Sequence, residues 1–520
     1  MRLFVSLAGC DIFFALVRFG SVMGLFAFSG SPVERLEKAT MTRKAACLCL
    51  YLAVAFANVL ASPPATRDNP VKQVSKVAQE AVKWLSEYVQ INTANPPGRE
   101  IAAAEYLAQL LRREGISCQT AISAPGRANL VARLKGRSPG GGVALVHHMD
   151  VATVDADSWS VPPFSGMIRD GYVWGRGTVD SKGLGIAHLA ALVAIKRSGR
   201  PPRRDVVFLA TSDEEMGGED GMAWVLENRP EWLKGIDYAL TEGGANIVRD
   251  NRLAHVGIET TQKLALWLRL TAVGEPMHGA YVNRNAASHR LIRALDRLLR
   301  YRPEILIAPA VARYFREIAA YQSPEIRDRL LHLDELTRDP ESVRRLDPGH
   351  QALLRNTIAV SVVRAGSNTN AFSGTAYAEL DCRLVPDQEP EEFLETVTEV
   401  VDDENIVIEP LLISSPAASP TDSELYEAIR TATQSIERQA TLGSSVLAGF
   451  TDGRFLRERG IVSYGFDPFK ASNGDLRGVH GIDEKLSISD LEFAIRYCHS
   501  VLSEFVFSRD LRQQNGLARH

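Results

Sequence analysis

One short run constrains this chain more than any other: Leu145-Val-His-His-Met-Asp-Val151. Its apolar half reads as a buried strand, and its end delivers an imidazole and a carboxylate where a parallel sheet presents its loops. Imidazole and carboxylate are the groups from which an oxygen/nitrogen zinc site is assembled. Four further segments carry His, Asp or Glu beside small, flexible residues: Gly175-Arg-Gly-Thr-Val-Asp-Ser-Lys-Gly183, Thr211-Ser-Asp-Glu-Glu-Met-Gly-Gly218, Thr241-Glu-Gly-Gly244 and Gly478-Val-His-Gly-Ile-Asp-Glu484.

A chain of 520 residues exceeds one ordinary core, so two domains after an N-terminal extension are expected. A net charge of -4 with no Lys/Arg-rich block argues against a nucleic-acid partner. Residues 1–61 stand apart as an extension, with apolar stretches at Leu3–Phe28 and Ala45–Ala61. Met41-Thr-Arg-Lys44, the apolar run after it and the small residues ending at Ala61 have the pattern of a cleaved secretory signal, with Met41 a candidate start. The expectation is an exported protein, periplasmic or secreted. The alternative is a membrane anchor, which holds only if the segment is retained; Asp11 and Arg18 interrupt its first stretch. Cys118, Cys382 and Cys498, the cysteines of the body, are too few and too far apart for a disulfide framework or a CxxC zinc site.

Apolar residues at helical spacing predict a helix over 71–92, ended by the turn Asn95-Pro-Pro-Gly98, and a second helix over 100–114 that stops at Gly115. Strands are predicted at 129–134, 142–147 and 206–211, with a helix over 183–198, and the continuous apolar runs read as a parallel sheet covered on both faces. From Lys263 the pattern changes to alternation, followed by helices and two more strands at 356–364 and 375–384. The pattern divides the body into 62–262, 263–412 and 413–510, with 511–520 as a tail.

Taken in chain order, the five motif segments resemble those of the di-zinc amidohydrolases that include aminoacylase, acetylornithine deacetylase, succinyl-diaminopimelate desuccinylase, glutamate carboxypeptidase and yeast carboxypeptidase S. The resemblance runs from about Val71 to Phe507. The insertion at about Pro303–Leu354 and the stretch Trp159–Gly177 are most similar to the carboxypeptidase S branch. The resemblance implies that 62–262 and 413–510 form an α/β zinc-peptidase catalytic domain, with a mixed, largely parallel sheet between helices, and that 263–412 is an inserted α+β lid and dimerisation-type domain.

The resemblance also implies roles. His148, Asp180 and Glu242 would hold one zinc and Asp180, Glu215 and His480 the second, with Asp180 bridging and Co²⁺ or Mn²⁺ as substitutes. Asp150 would hydrogen-bond the other ring nitrogen of His148, and Glu214 would be the general base. His278, in Gly274-Glu-Pro-Met-His-Gly279, matches a lid histidine that stabilises the oxyanion. Asn370 and Arg383 match substrate-contacting lid positions, Arg383 being suited to grip a carboxylate; Thr451, with Asp452, matches a substrate-side loop. Three positions depart from the family: His147 stands for a glycine, Thr241 for an aspartate common in the carboxypeptidase S branch, and Ser373 for a proline. The function implied is hydrolysis of an amide or peptide bond next to a free carboxylate, as a carboxypeptidase or an N-acyl-amino-acid hydrolase. Its substrate would be a small peptide or N-acyl amino acid, and the lid a route to a homodimer. The rival is a catalytically silent aminoacyl-ligand binding protein; loss of a ligand or of Glu214 would favour it, and all are present.

Overall fold

The computed structural model describes Ser31 and residues 70–507, apart from 339, 416 and 471–477. The expectations for the signal segment and the tail lie outside these residues. Among the described residues no helix is long and apolar enough to cross a membrane.

From Pro70 the described residues form two helices, Pro70–Val89 (α1) and Glu100–Arg113 (α2), and then lay down Cys118–Ala124 (β1), Arg127–Leu134 (β2) and Gly142–His148 (β3). A long excursion ends in the helix Lys182–Arg197 (α3), followed by Val206–Thr211 (β4), Ile236–Thr241 (β5), Ile247–Arg249 (β6) and Arg252–Gln262 (β7). A second sheet comes next: Leu264–Val273 (β8), Thr357–Arg364 (β9), Thr375–Leu384 (β10) and Ile406–Ile413 (β11), with helices Ala287–Arg300 (α4), Pro309–Ile318 (α5) and Pro390–Val401 (α6). The chain then returns through Glu424–Ile436 (α7), Thr441–Leu447 (β12), Val462–Gly465 (β13) and Ile488–Phe507 (α8).

The large sheet runs β6-β7-β13-β5-β3-β4-β2-β1, with β12 also paired to β7. Its central strands β13, β5, β3 and β4 are parallel. The flank is not: β2 runs antiparallel to β4, and β1 to β2. The sequence pattern could not separate these cases, because burial on both faces gives the same apolar run in either direction. Connection length could have done so, since the short link from β2 to β3 leaves no room for the crossover that a parallel return demands.

α3 is buried from Lys182 to Ile195, packed between α1 and α8 over one face of the sheet. A helix with no wet face needs apolar residues all round, as Leu184, Ile186, Leu189, Leu192 and Ile195 supply. In the second sheet, ordered β9-β10-β8-β11 and antiparallel throughout, Leu264, Leu266, Leu268, Leu270 and Ala272 face α4 and α6, as alternation requires.

The helical stretch after Tyr301 reads from sequence as part of the smaller unit, but its apolar side packs elsewhere. Val311, Phe315, Ile318 and Leu354 form a cluster with Val446 of β12. Glu317 accepts the Ser444 backbone N–H at 2.7 Å. Lys263, between β7 and β8, donates to the carbonyls of Ala352 and Arg355 at 2.8 Å each. The insertion thus fastens the large sheet to the root of the smaller one.

Candidate metal centre

Parallel strands send their carboxyl ends to one edge, so three loops converge without any further device. His148 is the last residue of β3, Asp213 to Glu215 follow β4, and Glu242 follows β5. Asp180 and His480 arrive from elsewhere. Lys485–Ser487 pairs antiparallel with Tyr172–Trp174, which lays the segment from Gly478 beside the turn before α3. The buried Glu484 carboxylate locks the two: it accepts the N–H groups of Gly177, Val179 and Asp180 at 3.0, 2.8 and 3.2 Å and the Arg176 guanidinium at 2.6 Å. Breaking a buried pair of this kind from one side costs roughly 3–5 kcal/mol. The turn needs glycine at 177, where φ is +87° and a Cβ would lie 2.6 Å from Val151 Cγ1.

The five carboxylate and imidazole groups meet in two sets that share Asp180. His148 Nε2 lies 2.9 Å from Asp180 Oδ1 and 3.3 Å from Glu242 Oε2. His480 Nε2 lies 3.3 Å from Asp180 Oδ2 and 3.0 Å from Glu215 Oε2. Each oxygen of Asp180 therefore faces a different histidine. His148 Nδ1 is fixed by the backbone carbonyl of Asp150 at 2.8 Å, with the Asp150 carboxylate behind it at 3.6 Å. The carboxylate does something the sequence did not reveal: its two oxygens accept the backbone N–H groups of Glu214 and Glu215, each at 3.2 Å.

Burial, and then the charge of Glu242, push the Glu214 carboxyl well above its usual range; burial raises Glu242 as well. Hydrogen bonds to Asp180 and Glu215 raise His480 to about 10. Burial disfavours a charged His148, but Glu242, Asp150 and Asp180 outweigh it and hold its pKa well above the ordinary value. Such a set, rich in anions with little solvent, attracts positive charge. Buried Glu215 Oε1 has no hydrogen-bond partner among the described residues. Among the described residues the donor atoms of His148, Glu214 and Glu242, and those of His148, Asp180 and Glu215, lie within 4.8 Å of one another, and with His480 on the far oxygen of Asp180 these oxygen and imidazole donors fit divalent cations.

Beside this cluster lies a cavity of about 650 Å³. Asp180, Glu214, Glu215, Glu242 and His480 line it together with the apolar side chains of Trp267, Leu447, Phe450, Phe466 and Phe469, and Asp381, Arg383, Thr451 and Asp467 are among its other polar residues. Arg383 is held by Asp381 at 2.7 Å, which in turn accepts Trp267 Nε1 at 2.8 Å. Its Nη1 has no partner among the described residues. Thr451 is fixed by Gln262, at 3.2 Å from its backbone N–H. Asp452 accepts the Thr211 hydroxyl at 2.7 Å, and burial pushes its carboxyl up to about 7. His278 and Asn370 are brought to each other but not to the cavity wall: Gly279 N–H donates to the Asn370 carbonyl at 2.7 Å, and both residues are exposed. His147 is buried beneath the site against Phe208 and Tyr88, and its pKa is driven down by burial.

Residues 144–504 match the model of peptidase family M20/M25/M40. The chain belongs to this family. As an M20 chain it is a hydrolase of amide or peptide bonds. It is 27% identical over 361 residues to the N-fatty-acyl-amino acid synthase/hydrolase PM20D1 of Xenopus tropicalis, covering 68% of this chain and 70% of that one. It is 26% identical to aminoacylase-1 of Sus scrofa over 413 residues, with 78% and 90% covered. A probable carboxypeptidase S-like 2 of Dictyostelium discoideum is 26% identical over 388 residues, with 69% and 71% covered. In fold it is similar to the M20 metallo-carboxypeptidase Sso-CP2 of Sulfolobus solfataricus, at TM-score 0.64 and 20% identity over 82% of this chain and all of that one. The fold of the di-peptidase Dug1p of Saccharomyces cerevisiae is comparable, at TM-score 0.66 and 15% identity over 86% and 99% of the two chains.

Proposed function

We propose that this M20 chain is a two-zinc hydrolase that releases an amino acid from an N-acyl amino acid bearing a large apolar acyl group. The observation that carries the reading is the cavity, which the acid cluster, the Arg383 guanidinium and the aromatic side chains of Trp267, Phe450, Phe466 and Phe469 all line. The three fit, in order, a scissile amide, a free carboxylate and a hydrocarbon chain. A volume of about 650 Å³ suits such a ligand and is larger than an acetyl group needs. The relatives named for N-fatty-acyl amino acids and for aminoacylase support the class.

His148, Asp180 and Glu242 would hold one zinc and Asp180, Glu215 and His480 the other. A bound pair of divalent cations supplies a more acidic water and a polarised carbonyl. Glu214 lines this cavity, and burial together with the charge of Glu242 pushes its carboxyl above the usual range, which makes it a stronger base than an exposed glutamate. It takes the proton from water as the water oxygen bonds to the acyl carbon. The carbon–nitrogen bond then breaks, and Glu214 returns the proton to the leaving nitrogen. Arg383, its plane set by Asp381, orients the substrate carboxylate.

The reading includes two chains. His278 is exposed and apart from the cavity, so we propose that it completes the site of a partner subunit, its neighbour Asn370 travelling with it.

The test is a series of N-acyl amino acids of rising chain length beside dipeptides, scored by released amine. At about 0.8 kcal/mol per buried methylene, kcat/KM rises by up to about fourfold per carbon until the aromatic side chains are covered. Faster cleavage of N-acetyl amino acids or of dipeptides would contradict the acyl assignment. Arg383→Gln should raise KM for free-acid substrates far more than for their amides.

A further inference from the structure

Behind the metal cluster lies a second polar cluster that none of the roles above uses. The buried Arg127 of β2 meets Glu100 at 3.1 Å, Asp213 at 3.0 Å and Asp220 at 3.3 Å, and donates to Asn95 Oδ1 at 2.7 Å. Asn95 passes the contact on: its amide donates to Asp150 Oδ2 at 2.8 Å and to Asp213 Oδ1 at 3.1 Å. Asp150 in turn holds the N–H groups of Glu214 and Glu215. The route from guanidinium to general base is thus a continuous line of hydrogen bonds through Asn95 and Asp150, with a shorter branch through Asp213.

The branch matters because Asp213 has φ of +68°, a left-handed conformation that a non-glycine residue keeps only when its surroundings hold it there. Both its carboxylate oxygens are engaged, Oδ1 by Arg127 and Asn95 and Oδ2 by the Asp220 N–H at 3.0 Å. The turn that follows aims Glu214 and Glu215 in different directions. We propose that Arg127, acting through Asn95, Asp150 and Asp213, is a positioning residue that fixes the Glu214–Glu215 turn. A planar fork with several donors is needed, since one cation meets three carboxylates and an amide; an ammonium lacks that reach. The inference rests on the metal-hydrolase reading of the site and adds a part to it.

The experiment uses the full chain loaded with Zn²⁺ or Co²⁺, comparing wild type with Arg127→Met, Arg127→Lys and Asn95→Ala. Arg197→Met serves as control, because Arg197 also bridges two carboxylates, Glu80 and Glu114, on the helical layer of the molecule. Folding is checked by circular dichroism; metal affinity and the visible Co²⁺ spectrum are measured without substrate, then kcat and KM with the best N-acyl amino acid. Arg127→Met should weaken metal binding about 10–100-fold and shift the Co²⁺ spectrum. Its kcat should fall about 10²-fold with KM within about twofold, the signature of a displaced group and not of a lost substrate contact. Arg127→Lys should recover only part of each, and Arg197→Met should behave as wild type in all three readouts.

Wild-type metal affinity, spectrum and kcat in a folded Arg127→Met, or an equal loss in Arg197→Met, would overturn the proposal. If Arg127→Met does not fold, Asn95→Ala carries the test, with a shifted Co²⁺ spectrum supporting the line of contacts and an unshifted one overturning it. A wild type that binds metal but cleaves no substrate would count against the reaction, while the metal readouts would still decide the role of Arg127.

Discussion

Glu214 and Glu215 are chain neighbours with different surroundings. Asp150 fixes the backbone of both, yet Glu215 reaches His480 at 3.0 Å, while burial and the charge of Glu242 push up the Glu214 carboxyl. Glu214→Gln should therefore keep both metals and lose about 10²-fold or more in turnover. Glu215→Gln should lower metal content by comparison, as elemental analysis of the two purified proteins will show. Equal metal content and equal turnover would sink this division. His148, Asp180, Glu215, Glu242 and His480 were legible because each sits in a local motif with small residues around it. Asn95, Arg127 and Asp213 were not, because their meaning lies in a meeting of segments that no local spacing records; Asn95 read only as part of a turn. Arg176 and Glu484 stood inside quoted motifs, but their pairing across the two loops also needs three dimensions to be seen.

At the level of elements, α3 shows how a buried helix couples stability to pH. His188 on this helix is buried with neither ring nitrogen partnered among the described residues, and burial lowers its pKa to about 3. Burial likewise lowers His255 and His499 to about 4 each. A folded-state value below the unfolded 6.5 means that the unfolded chain takes up protons first. The stability these groups allow is complete above about pH 6.5 and drains away as pH falls toward 4. His188→Leu, which puts an apolar group where an imidazole has no partner, should flatten this acid limb and leave stability at pH 8 equal or higher. Melting temperatures from pH 8 to 4.5 in a chelator, to remove metal linkage, check it; an unchanged slope would contradict it. The helices α1 to α4 were legible from apolar spacing and strands such as β4 from a continuous apolar run, while α6, α7 and α8 were not read from the sequence. The docking of α5 on β12 was not, since an amphipathic helix shows that it has an apolar face and not what covers it.

Across the whole molecule, the large sheet presents His148, Glu215 and Glu242, the loops before α3 and before Lys485 bring Asp180 and His480, and the smaller sheet contributes Trp267, Asp381 and Arg383 to the cavity. His278 lies on a two-stranded ribbon, Met277–His278 against Ala371–Phe372, apart from that cavity. If His278 serves a partner's site, His278→Ala should leave metal content unchanged and lower turnover by roughly 10²–10³-fold, the scale of one lost oxyanion donor. Mixing His278→Ala with Glu214→Gln chains should then restore part of the activity, because one mixed site has both groups intact. No recovery in a mixed, co-purified dimer would place the histidine's action within its own chain. The central claim, that this fold runs amide hydrolysis on a metal pair, meets its most direct test in one titration. The purified protein is stripped with a chelator and zinc is returned stepwise while release of amine from a long-chain N-acyl amino acid is followed. The expected result is no cleavage without metal and full recovery as occupancy reaches about two ions per chain. Undiminished cleavage by the stripped protein, or none by folded protein carrying both ions, would contradict it.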